Sequence, residues 1–99
     1  MKYLDFLLEA IRNVHGCEAD HVESVPVLER FQGQTVWEGT VEVFRLKAHP
    51  NATQCYAWGF ENDAGKQAVA VLALPPIKNA VDAVRAYIAS TVRGNHAEG

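Results

Sequence analysis

A chain of 99 residues, 48% hydrophobic and 21% charged, carries enough apolar material for one core, which excludes disorder as its main state and argues for a single domain. Its net charge of −3, from nine basic and twelve acidic residues, argues against duplex nucleic acid as a partner, because such domains draw their affinity from neutralised phosphates. Two cysteines make no disulfide framework. No stretch approaches the ~20 apolar residues of a membrane span, and Asp5 and Glu9 interrupt the N-terminal apolar stretch where a secretory leader would be continuous; a cytoplasmic protein that needs no cofactor is the expectation.

From Lys2 to Val14, Leu4, Leu7, Leu8, Ile11 and Val14 recur on one helical face, with polar residues opposite. Gly16 follows the last of them, where a helix C-cap favours a left-handed residue. After a polar stretch, Val25, Val27 and Phe31 alternate as a strand, and Pro26 assigns that strand to a sheet edge because it has no N–H to donate. Gln32-Gly33-Gln34 reads as a turn.

Thr35 to Lys47 is the longest strand, with Trp37, Val41 and Val43 on one side and Glu38, Thr40 and Glu42 on the other. Its apolar phase then flips to Phe44 and Leu46, which predicts a bulge or a change of burial. Past the break at His49-Pro50-Asn51, Gln54 to Glu61 sets Tyr56, Trp58 and Phe60 against Cys55, Ala57 and Gly59. A hairpin loop at Asn62–Gly65 leads into Gln67–Leu74, apolar on both faces, and Pro75-Pro76 ends that strand. From Ile77, the residues Val81, Val84, Ile88 and Val92 predict a second helix ending near Arg93-Gly94, with residues 95–99 as a flexible tail.

These elements make one α+β domain over residues 1–94, in the order helix, four antiparallel strands, helix. Loop lengths pair Glu61 with Lys66, Trp58 with Val69 and Tyr56 with Val71, and put Val41 and Val43 beside Trp58 and Tyr56. That bulky face, with Val25, Val27, Phe31 and Phe60, is expected to meet both helices in a two-layer sandwich. The opposite, alanine-rich face is then left bare. Its apolar end, Phe44, Leu46, Cys55, Leu72 and Leu74, is expected to be an interface, with a second copy as the simplest partner.

Candidate chemistry is sparse. His15, Cys17 and His21 form the single cluster of imidazole and sulfur, and their spacing fits no common zinc pattern even with His49 or Cys55 added. The plainer account has His15 near the C-terminus of the first helix and Cys17 packed beneath it. Cys55 with a histidine would make a nucleophile and base, but a mid-strand cysteine reads as core. Glu38 and Glu42 share a strand face and are expected to be solvated, or paired with Arg45 or Lys47. Lys78, Arg85 and Arg93 form a short basic edge on the second helix. Its helix–strands–helix order resembles that of double-stranded RNA-binding domains, but the lysine cluster of their second helix is missing, so nucleic acid is not expected.

Trp37-Glu38-Gly39, Val41-Glu42-Val43-Phe44, His49-Pro50-Asn51-Ala52 and Cys55-Tyr56-Ala57-Trp58 resemble a pattern found in a family of small uncharacterised bacterial proteins. The likeness covers about half the chain and implies a bacterial origin but no activity. A non-catalytic interaction or assembly module that forms homodimers is the expectation, with two alternatives: a small enzyme or metal binder using His15, Cys17, His21 and His49, and a nucleic-acid-binding domain resembling the double-stranded RNA-binding layout.

Overall fold

The structure, a computed structural model, describes residues 2–98 and the side chains of residues 3–91. Helix α1 spans Lys2–His15, strands β1 to β4 span Ala19–Phe31, Gln34–Leu46, Gln54–Asn62 and Gly65–Leu72, and helix α2 spans Ala80–Glu98. The strands form one antiparallel sheet in chain order. The α+β class and the helix–four strands–helix order are those expected from the sequence. The end of α2 lies beyond Arg93-Gly94, while the side chain of Arg93 and the tail expected at 95–99 fall outside the described side chains. Among the described residues no helix is long and apolar enough to cross a membrane.

Local chemistry ends α1 and turns both hairpins where the sequence places the stops. Gly16 takes φ +72 and its N–H closes α1 on the carbonyl of Arg12 at 2.9 Å, the left-handed cap for which glycine carries no Cβ penalty. At the β1–β2 turn, Gln32 and Gly33 both have positive φ, 54° and 79°, so two residues rather than three make the connection. The β3–β4 register is the expected one, with Glu61 opposite Lys66, Trp58 opposite Val69 and Tyr56 opposite Val71.

The helices do not share a face. Helix α2 packs Ala80, Ala83 and Val84 against Val27, Val41, Val43, Tyr56 and Trp58. Helix α1 packs Leu7 and Ile11 against Phe44, Leu46, Cys55 and Ala57 on the other side of the same strands. The two-layer expectation is thus corrected to three layers, helix on sheet on helix. The reason lies in β2, where Val41, Glu42, Val43 and Phe44 are all buried in succession. A strand covered on one side buries every second residue; burial of consecutive ones requires cover on both. The phase flip at Phe44 is the expected change of burial, made by α1 on the opposite face. Bulges lie on β1 at Val22, opposite the Val43–Phe44 step, and on β2 at Val36, where the β1–β2 register shifts.

This places three of the five expected interface residues in the core and the other two, partly buried, against it. Phe44 and Cys55 are fully buried, Leu46 is 7% exposed, and Leu72 and Leu74 pack against the same cluster. The alanine-rich face is where α1 docks, because Ala57, Ala68 and Ala70 let a helix approach closely. A helix about 10 Å across covers about two strands spaced ~4.8 Å apart, so α1 shields β3, β4 and the Phe44–Leu46 end of β2 and leaves the rest of the β1–β2 part of that face open. There Ser24, Pro26, Leu28, Glu38 and Thr40 are exposed.

Truncating α1 at its buried side should show this docking directly. Ile11→Ala is expected to cost about 2–5 kcal/mol in urea unfolding, and a loss below about 0.5 kcal/mol would mean that α1 does not pack here.

Candidate aromatic cleft

Strands β2 and β3 begin to pair at Arg45–Gln54 and stop at Glu42–Ala57, only four rungs in all. Beyond that rung the register would continue through Val41–Trp58, Thr40–Gly59 and Gly39–Phe60, but no pairing is made there. The strands part, and β2 stays with β1 instead. A cavity of about 380 Å³ occupies the fork, lined by Trp37, Trp58, Phe60 and Tyr87 with Tyr3, Glu38, Gly39, Thr40 and Gly59. That volume lies within the range of small-ligand sites.

The walls come from both sides of the sheet. Trp37 and Tyr87 belong to the α2 side and stack edge-on against Trp58, with centroids 5.4 and 5.5 Å away. Such T-shaped contacts hold aromatic rings in a fixed mutual orientation. Tyr3 enters from the α1 side and its hydroxyl accepts the Gly59 N–H at 2.9 Å. Neither Gly39 nor Gly59 has a positive φ; both are glycine for space. A Cβ on Gly39 would lie 3.0 Å from the Trp37 ring, and one on Gly59 would lie 3.1 Å from Tyr3.

Two smaller cavities, each about 320 Å³, adjoin the fork. One is lined by Tyr3, Phe6, Gly59, Phe60, Glu61 and Lys66, the other by Pro26, Leu28, Glu38, Gly39 and Thr40 with Val27. Through the shared residues the three form one groove across the sheet beyond the N-terminus of α1. Trp58 is 3% exposed and its indole N–H is buried with no acceptor among the described residues, a cost of about 1–3 kcal/mol. Phe60, expected in the core, is instead 38% exposed at the rim.

Of the residues singled out from the sequence, His15 and His49 come together edge-on, with ring centroids 6.5 Å apart, but each is already engaged by backbone. His15 donates Nε2–H to the carbonyl of Ala70 at 2.9 Å, and His49 Nδ1 accepts the backbone N–H groups of Asn51 and Ala52. His21 donates to Glu42 at 2.7 Å, and Ser24 donates to the same carboxylate oxygen. Glu42 is therefore buried, at 7% exposure, and not solvated; Lys47 lies 3.4 Å from Asp20 instead. Glu38 lines the cleft. Among the described residues no group of three or more His, Cys, Asp or Glu side chains could hold a metal ion. Arg85 is committed to Glu29 at 2.7 Å, which weakens the basic edge considered with Lys78 and Arg93.

Cys55 is no nucleophile. Desolvation, with Cys17 as a lesser cause, pushes its thiol up to about 12, so the thiolate is scarce at neutral pH. No family model matches the chain, and no curated protein or solved structure does either; function is read from the geometry. In native protein at pH 8, a thiol reagent is expected to modify Cys17, which is partly exposed, and to leave Cys55 until denaturant is added. Rapid reaction of both thiols would contradict this burial.

Proposed function

We propose that this chain is a non-catalytic protein-interaction module whose docking site is the aromatic groove at the β2–β3 fork. The observation that carries the reading is an opened seam with aromatic walls and, in Trp58, a buried donor without an acceptor. Catalysis has less support: the histidines are tied to backbone or to Glu42, and the buried thiol is inert. Both cysteines are free, which suits a reducing compartment, and the cytoplasm is where we place the protein. Self-association through Phe44, Leu46, Cys55, Leu72 and Leu74 is set aside, because those side chains already face α1 or its cluster.

Both tryptophans of the chain wall the cleft, so its whole tryptophan emission reports on this one place. A library of small aromatic fragments, screened by NMR, is expected to shift the amides of residues 38–40 and 58–61 and to change that emission. Gly39→Leu, which drives the Trp37 ring out of position, should abolish both effects while the far-UV circular dichroism is kept. Fragments that bind elsewhere, or that bind Gly39→Leu unchanged, would rule the groove out.

A further inference from the structure

We infer that the occupant of the groove is an extended peptide segment of another protein, added as a strand to the free edge of β2. This rests on the binding reading above and supplies the chemistry of the partner.

The direction of the backbone groups follows from the ladder. Ala73 N–H bonds the carbonyl of Gln54, so on β3 the residues 54, 56 and 58 turn their N–H and C=O toward β4, and 55, 57, 59 and 61 turn theirs toward β2. Leu46 N–H bonds the carbonyl of Thr53, which gives β2 the matching phase. Glu42 and Phe44 therefore face β3, and past the last rung Thr40 and Glu38 present their N–H and C=O groups to the fork with no strand opposite. On the β3 side the Gly59 N–H has taken a substitute acceptor, the hydroxyl of Tyr3.

The two outer edges of the sheet are treated differently. In the same phase Pro26, opposite Thr40, turns its nitrogen outward, so β1 lacks a donor in the middle of its free edge. On β4, His15 holds the outward carbonyl of Ala70. Blunting of this kind keeps an edge from recruiting another chain. The inner edge of β2 has neither device and opens onto the aromatic walls.

A strand paired with Glu38 and Thr40 sends alternate side chains to the two sides of the sheet. One set meets Trp37, Trp58 and Tyr87, which suits aromatic or β-branched residues. The other lies toward Tyr3 and the open β1–β2 surface, beside Glu38, which has no ion pair among the described residues and favours a lysine or arginine.

The test pans a random heptapeptide phage library against the immobilised full chain and synthesises the peptides recovered. Bound peptide is expected to slow deuterium exchange at the amides of Glu38 and Thr40. N-methylation of the peptide should weaken binding about fivefold at every second residue, the value of one net hydrogen bond, and leave the residues between unaffected. Peptides that alter tryptophan emission without protecting those amides would overturn the strand pairing and leave the groove as a site. A library that yields no binder, while aromatic fragments still bind, would overturn the peptide as occupant. Peptides that bind with tryptophan emission unchanged would overturn the site itself.

Discussion

The contact on which the other features rest is the docking of α1 onto the small-residue side of β3 and β4. Leu7 and Ile11 reach zero exposure there, each contributing roughly 1.5–3 kcal/mol by burial, because alanines at 57, 68 and 70 leave room for them. Docking fixes the ends of the helix as well as its middle. At its C-terminus His15 reaches the β4 edge, and at its N-terminus Tyr3 is carried over Gly59. The groove begins where the helix stops. Its position is thus a by-product of a 14-residue helix lying on a sheet wider than itself.

Much of the fold was legible in the residues. Apolar periodicity marks both helices, Gly16 marks the first stop, and the β3–β4 register follows from the hairpin at Asn62–Gly65. The distribution of helices is hidden because alanine is ambiguous: a row of small residues looks bare in sequence, yet it is also what close helix packing needs. The corrective signal was present at Phe44 and in Gln67–Leu74, where both strand faces are apolar and each needs a cover. One helix per face satisfies that requirement; two on one face do not.

The groove itself was not legible. Extending the β2–β3 register from Val43–Tyr56 puts Val41 beside Trp58 by simple counting, and nothing in the pattern says that pairing ends at Glu42–Ala57. The nearest hint is Gly39 and Gly59, two glycines in strand interiors whose neighbours are aromatic. Glycine in such a place often means close approach of something else, and here that something is the Trp37 and Tyr3 rings. The histidines misled in the opposite sense. Their roles at Ala70, at the Asn51–Ala52 turn and at Glu42 are structural uses of a side chain that reads as reactive.

Glu42 has a mechanical consequence. It belongs to the last rung that joins β2 to β3, and it is also tied across β1 through His21 and Ser24. The crotch of a fork is where prising the arms apart concentrates stress, and the clamp placed there between β1 and β2 keeps those two strands together as one arm. A tilt of the β1–β2 hairpin beyond it would therefore be the motion of a paired unit, hinged where the pairing with β3 ends.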